Sequence, residues 1–419
     1  MKNNNYSIAV LGAGNIGSTV IDRLLDLDGE LVNIDLKKVL VANTSKKRDF
    51  DISLTTNSFE EILNDESIQI VIEVLGGLNP GKEYIKSLLE KGKSVITANK
   101  DIIADCGQEL IAIAQKNNVC LYFEAAVAAG IPVLKPLIES LRGEELTRVA
   151  GIINGTSNYI LTSMEEGSSY EDALHDAQEL GYAEPDPTND VEGLDAKYKA
   201  MILSLLCFGV SPTSDDVFTE GISSITKEDF GWAQRLNKTI KLVAQLDSSD
   251  SGFNARVYPV LVDIKHPLAS IRGALNAILV EGKNISQLVF SGPGAGSAPT
   301  ASAIIGDVLS ACHQLESKQT NWYPLRSSVA GSKSIESVES SWFIRLSVKD
   351  EPGVLASIAG LFGEQNVSIE SVIQEGRGDN AELVLVTHEA TEENLTTAIT
   401  NIANLEAVSS VTSTIRVYS

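Results

Sequence analysis

Six consecutive residues, Gly12-Ala13-Gly14-Asn15-Ile16-Gly17, restrict this chain more than any other part of it. They follow the apolar strand pattern Tyr6–Leu11 directly and lead into the helical run STVIDRLLD. Strand, GxGxxG turn and helix in that order open a Rossmann-type unit. The first glycine permits the tight turn, the second lets the backbone approach a pyrophosphate, and the third lets helix pack on strand. The helix N-terminus then faces the anion. A glycine turn used only for packing is the competing reading. Further βα alternation in Ile70–Leu75 with Gly76-Gly77, in Ser94–Thr97 and in Cys120–Phe123 predicts a parallel sheet with ligand at its carboxyl edge. Expected cofactor contacts are Gly12 through Gly17 (Gly12, Ala13, Gly14, Asn15, Ile16, Gly17), Leu75, Gly76 and Gly296. Gly296 closes the SGPGAG loop, and the helix pattern Thr300–Cys312 after it returns by chain order to the nucleotide domain.

A second strand, expected at Lys38–Ala42, ends without the acid that would bond a ribose 2′-hydroxyl. Asn43-Thr44-Ser45-Lys46-Lys47-Arg48 stands there instead, which favours a 2′-phosphate at Ser45, Lys46 and Lys47, hence NADP(H) over NAD(H); a solvated charge run is the alternative. Val95–Lys100 (VITANK) ends a strand in a lysine. Such lysines are commonly solvated loop charges, but this sheet edge is also the cofactor crevice, so Lys100 is a candidate site residue.

Charge gathers again in Gly181–Lys199 (GYAEPDPTNDVEGLDAKYK). Pro185-Asp186-Pro187 cannot continue a helix, whereas Ala196 onward reads as a buried one, so these carboxylates sit where a loop enters the interior. Asp195 and Lys199, four apart, share a helix face. One reading is a capped helix with an exposed ion pair contributing ~0.3–0.5 kcal/mol. The other is a buried ammonium held by carboxylates beside an apolar run, which makes Lys199 a candidate proton donor. Upstream, Gly151–Asn158 (GIINGTSN) offers amide and hydroxyl donors in a turn that suits a small polar ligand, or a plain connection.

A net charge of −23 argues against nucleic acid or an anionic membrane as partner, and no apolar run approaches the ~20 residues of a membrane span. The N-terminal sequence has no room for the apolar core of a secretion signal, and a cytoplasmic location is expected. Cys106, Cys120, Cys207 and Cys312 lack CxxC spacing and read as small buried hydrophobes. His175, His266, His313 and His388 lack metal-ligand spacing. Asn321–Ser341 reads as a linker, and the remainder follows βαββαβ order: Trp342–Val348, Val354–Phe362, Val367–Gln374, Ala381–His388, a helix from Thr391, and Ser410–Val417. That order is a small ferredoxin-like module.

GAGNIG, VITANK, EAAVAAGIP, NGTSNYIL and GYAEPDPTNDVEGLDAKYKA together resemble homoserine dehydrogenases of the long microbial type, over essentially the whole chain. The resemblance implies an α/β protein in three parts: a Rossmann-type NAD(P)-binding domain at 1–130 completed by 297–320, an α+β substrate and dimerisation domain at 131–296, and an ACT module at 342–419 after a linker at 321–341. It implies NAD(P)H-dependent interconversion of L-aspartate 4-semialdehyde and L-homoserine, towards threonine, methionine and isoleucine. The family's proton donor falls on Lys199, its second essential lysine on Lys100, and its substrate-binding residues on Thr156, Glu184, Asp190 and Asp195.

The same resemblance puts backbone oxygens of Glu124, Val127, Ala129 and Ile131 around a structural monovalent cation, usually sodium. It puts an effector, L-threonine, beside Asp350–Gly353 and Asn366, and it implies a homodimer or homotetramer. Asn43-Thr44 and Ser368 depart from the family's pattern at the 2′-phosphate loop and the effector site. Asp195 is expected to hold and tune Lys199, with Lys100 between nicotinamide and substrate. The apolar runs Met201–Val210 and Ser251–Val262 are candidate dimer surfaces. Rival readings are another NADP-dependent amino-acid semialdehyde reductase on the same scaffold, or a nucleotide-bound amino-acid sensor without catalysis.

Overall fold

Short apolar strands alternating with helices give the N-terminal part a six-stranded, all-parallel sheet, here described in a computed structural model. The described residues are 5–27, 33–249, 252–317, 325–326, 331, 333–378 and 381–418. Its strands are β1 (Asn5–Leu11), β2 (Asn33–Leu40), β3 (Thr55–Thr56), β4 (Ile70–Glu73), β5 (Ser94–Thr97) and β6 (Leu121–Tyr122), in the order β3-β2-β1-β4-β5-β6. β1, β4 and β5 are buried almost throughout, as strands covered on both faces must be. Strand order reverses between β1 and β4, and a crevice for ligand opens at their carboxyl ends. β2 starts earlier than the expected Lys38–Ala42 and stops at Leu40. Asp35 and Lys37 on its wetter face mask the alternation of buried Ile34 and Leu36.

By internal contacts the chain divides into two units. The first joins this sheet to Tyr198–Ser214 and Asn276–Ser328. Helix Ser297–Ser317 packs along helix Asn15–Leu27, where Arg23 donates to the Ser302 hydroxyl at 2.7 Å. Met201 to Phe208 are buried within the chain, so the expected dimer surface at Met201–Val210 is already covered. A helix apolar on every side is a core helix.

The second unit comprises Thr147–Lys197, Asp215–Leu275 and Val329–Ser419. Strands Lys238–Ser249 and Gly252–Asp263 pair antiparallel along their whole length. Gly252–Asp263 is buried in all but its last residue, so Gly252–Val262, the described part of the expected surface Ser251–Val262, is likewise no free surface. Glu339–Val348, Val354–Glu364, Ile369–Glu375, Ala381–Thr387, Glu392–Ala403 and Val408–Val417 form the βαββαβ module. Its two helices cover a core that includes Ile344, Leu346, Ile358, Phe362, Leu383 and Leu395. Strand Val408–Val417 also pairs in parallel with Gly252–Asp263 (Val260↔Arg416, Leu261↔Val417). Of the expected linker at 321–341, residues 321–324, 327–330 and 332 lie outside the described residues, and its end holds a short 3-10 turn, Ile335–Ser337, and the start of strand Glu339–Val348.

Lys241, on strand Lys238–Ser249, is fully buried at 0% exposure. Its ammonium donates to the Ile271 carbonyl at 2.7 Å, and burial pushes its pKa down to about 8, with Glu165 opposing and Arg272 adding to the shift. Below pH 8 the folded chain carries a desolvated charge. Between pH 8 and the ordinary 10.5 it sheds that proton before the unfolded chain does, so stability rises with pH across this window. Relative to Lys241→Met, the native chain should gain about 3 kcal/mol from pH 7.5 to 10.5. Urea midpoints of both proteins across that range measure it; a constant difference would show that Lys241 does not titrate there.

Candidate functional site

The crevice of the parallel sheet is shaped by glycines whose neighbours leave no alternative. A Cβ on Gly17 would stand 2.2 Å from the Gly12 carbonyl oxygen, and Gly12, at φ +106°, would meet the Val74 carbonyl oxygen at 2.8 Å. Gly14 has nothing within 4 Å of its would-be Cβ. The turn is therefore closed where it packs and open where a pyrophosphate would lie. Beside it, Glu73 ends β4 fully buried: its Oε1 accepts from the Leu75 amide (2.8 Å) and its Oε2 from the Thr97 hydroxyl (2.6 Å). Burial raises the Glu73 carboxyl above its usual range, while Thr97 and Leu75 oppose the shift.

From Thr97 the network continues along VITANK. The Asn99 amide bonds Thr97, and its side chain donates to the Gly77 carbonyl (2.7 Å) and caps helix Lys100–Lys116. Gly76 and Gly77 both have positive φ, so this chain of bonds fixes a glycine loop and the start of Lys100's helix together. Lys100 is partly exposed there. In the loop after β2, Arg48 folds back onto the carbonyls of Asn43 (3.0 Å) and Lys46 (2.8 Å). Lys46 and Lys47 stay exposed, as do Ser45 and Gly296.

In the same unit Glu124 turns its carboxylate onto the amides of Val133, Leu134 and Lys135 (2.6, 2.8 and 2.9 Å). Its own amide bonds Asp307, which pairs with Lys135 at 2.8 Å. Burial, and then the neighbouring Asp307, raise the Glu124 carboxyl; burial raises Asp307 too, against Lys135. Between Glu124 and Ile131 the chain is tightly folded, with Ala128 at φ +48° and a would-be Cβ on Gly130 2.4 Å from the Pro293 carbonyl. Among the described residues no cluster of three or more His, Cys, Asp or Glu offers a side-chain metal site.

The second unit holds the acidic constellation. Asn154 caps helix Gly155–Glu165, accepting from the Ser157 amide and hydroxyl (2.8 Å each). Its Nδ2 donates to Asp190 (2.6 Å) and to Asp195 (2.9 Å). One amide thus joins two expected substrate carboxylates. Ser157 also donates to the Asp190 carbonyl (2.7 Å), and Thr156 donates to the Tyr182 carbonyl (2.6 Å). Asn158 donates to the carbonyls of Ile271, Gly273 and Leu275, so with Lys241 it ties the 271–275 loop to this helix.

Glu184 is exposed on the loop before this point, and Asp186 is held below the usual carboxylate range by the Thr188 hydroxyl and amide. Asp195 lies in the first turn of helix Leu194–Phe208, with Lys199 one turn on. Lys199 is partly buried, not enclosed as its apolar neighbours suggest. Ala196 is buried, but continuous burial begins only at Ala200, and the three residues before it are all partly exposed. It is Lys197 whose ammonium burial lowers, against Asp215. Sequence reasoning missed Asn154, Glu73 and Lys241. Only Asn154 carried a signal, an asparagine directly before a helical run.

Family models match three segments: "Homoserine dehydrogenase, NAD binding domain" at residues 12–124, "Homoserine dehydrogenase" at 132–309 and "ACT domain" at 342–407. Homoserine dehydrogenase of Mycobacterium tuberculosis is 42% identical, covering 98% of this chain and 97% of its own length. That of Bacillus subtilis is 39% identical, covering 98% of each. A crystal structure of a homoserine dehydrogenase from Thiobacillus denitrificans superposes with a TM-score of 0.92 at 34% identity over 99% of both chains. A hyperthermophilic archaeal homoserine dehydrogenase in complex with NADPH matches 74% of this chain and 98% of its own, with a TM-score of 0.64 at 27% identity.

The glycine geometry separates packing from binding. Gly17→Ala should cost about 1–3 kcal/mol of stability, because backbone must move. Gly14→Ala should melt like the native chain yet lose much of the stabilisation expected from a bound nicotinamide dinucleotide. Thermal melts with and without NADPH read both; an unchanged melt for Gly17→Ala would refute the packing argument.

Proposed function

The chain belongs to the homoserine dehydrogenase family, and from that premise we propose how its residues divide the work of interconverting L-aspartate 4-semialdehyde and L-homoserine. It is an oxidoreductase acting on a CH–OH group, with a nicotinamide dinucleotide-binding domain, and serves amino-acid biosynthesis. The observation that carries the residue assignment is the Asn154-bridged pair Asp190 and Asp195, with Lys199 one turn along the same helix. When bound, the nicotinamide supplies or accepts the hydride. Lys199 delivers the proton that a carbonyl oxygen needs as it becomes an alkoxide, and takes it back in the reverse direction. Asp195 orients that ammonium. Glu184 pairs with the substrate's own ammonium, Asp190 and Thr156 position it, and Lys100 acts at the cofactor crevice. Charge-assisted bonds of this kind are the stronger class, and carboxylates joined through a single amide stay aimed at one place.

Lys46, Lys47 and Ser45 supply the NADP preference, Arg48 serving as a brace for their loop; the NADPH bound by the archaeal relative supports this reading. Carbonyls of Glu124, Val127, Ala129 and Ile131 hold a monovalent cation, sodium, whose charge would offset the two raised carboxyls beside that turn. The domain limits 1–130, 131–296 and 342–419, a cytoplasmic homodimer or homotetramer, and L-threonine as effector at Asp350–Gly353 and Asn366 complete the proposal. Gly353 at φ +96° and Asn366 at φ +57° give that loop and helix end the turns such a site needs.

Purified protein mixed with L-homoserine and NADP⁺ should generate the reduced-cofactor absorbance band. Lys199→Ala should lower turnover ~10²–10⁴-fold with NADPH affinity kept, as removal of a general acid does. Near-native turnover would remove Lys199 from the role. Lys46→Ala with Lys47→Ala should raise the Michaelis constant for NADP⁺ and leave that for NAD⁺ unchanged; equal changes would argue against the 2′-phosphate contact.

A further inference from the structure

A buried arginine of the C-terminal module reaches the substrate-binding acids through a short strap. Arg416, near the end of strand Val408–Val417, is 7% exposed. Its Nε and Nη2 lie on the Glu392 carboxylate (3.2 and 2.9 Å), and its Nη1 donates to Glu220. The guanidinium carbon is 4.8 Å from the Tyr258 ring centre, 4.9 Å from Trp342 and 5.2 Å from Phe218. Planar stacking and a forked donor set are what arginine offers and lysine does not.

Glu220 begins the strap, residues 220–229. Its amide donates to the Val257 carbonyl (2.8 Å), and the Ile222 amide donates to the Val191 carbonyl (2.8 Å). Gly221 is pressed against the same place, a would-be Cβ lying 2.4 Å from the Val191 oxygen and 2.7 Å from the Glu192 Cα. The far end is held by a second arginine of the module. Arg345 donates to the Thr226 hydroxyl (3.1 Å) and pairs with Asp229 (3.3 Å). Between these two anchors the strap braces Val191, whose chain neighbour Asp190 carries the carboxylate bonded to Asn154.

We propose that Arg416 is a positioning residue for substrate binding: through Glu220 it fixes the strap that holds Val191, and so fixes the carboxylate of Asp190. This rests on the reading that Asp190 binds and positions the substrate beside the ammonium that Glu184 pairs with. A coupling of this size, carried through packed and bonded neighbours, alters affinity by about 2- to 30-fold.

The test uses the full chain with L-homoserine and NADP⁺. Glu220→Ala cuts the strap from Arg416 and leaves Arg416 on Glu392, so it should fold; it should raise the Michaelis constant for L-homoserine by about 2- to 30-fold, with turnover and the NADP⁺ constant near native. Arg416→Met should do the same, and Arg416→Lys should recover only part of the loss. Arg235→Ala, which removes an exposed contact with Glu375, should be native. A folded Glu220→Ala protein with a native L-homoserine constant overturns the proposal, and decides the matter even if Arg416→Met does not fold. Asp190→Asn tests the premise separately: a native constant there means that Asp190 does not bind the substrate, whatever Glu220 does. In the double variant, Glu220→Ala should add little to Asp190→Asn, and a fully additive effect would overturn the route through Asp190.

Discussion

Two carboxylates set close together repel one another, and folding keeps them there only where donors answer them. Asp190 and Asp195 meet this constraint through the side-chain amide of Asn154, which gives one hydrogen to each. Asn154 can do so because its oxygen is already committed to Ser157 at the start of a helix, so the NH₂ group has one direction to face. The position of that helix is in turn fixed by Asn158 and Lys241 against the 271–275 loop. The acidic constellation is thus a sequence of local commitments, each leaving the next group little freedom.

The same device recurs at the cofactor end with the charges reversed in role. Glu73 and Glu124 are buried acids that hold neighbouring main-chain amides, and each fixes the loop that follows it or packs beside it. Burying an ionisable group is costly unless hydrogen bonds satisfy it, so such residues hold one geometry strongly. Lys46 and Lys47 are exposed in the same unit as these two acids, and Glu184 is exposed in the other. Buried acids fix the loops, while exposed charges leave attraction to groups in contact with water.

What could be read from the chain follows from how local each constraint is. GAGNIG is legible because its glycines are demanded by atoms a few residues away or on the adjoining strand, such as Gly12 against Gly17. The C-terminal module is legible because strand and helix periods alternate in a short span. The acidic segment announced itself by density, yet its pairing did not: Asn154 lies far from Asp190 in sequence. Lys199 was read as more deeply buried than it is, since an apolar run fixes where a helix is covered only to within a turn. Strand β2 was placed late because its partly wet residues break the alternation. A cation held by main-chain oxygens leaves no residue type to notice, and the strap from Arg416 joins positions whose closeness only the fold creates.

The parallel register of Val260 with Arg416 makes the last strand a member of two structures at once. Severing the C-terminal module would not release an independent accessory. It would bare the edge of Gly252–Asp263 next to the rings of Phe218 and Tyr258, the kind of surface on which chains aggregate. A chain without this module would have to cover that edge in some other way.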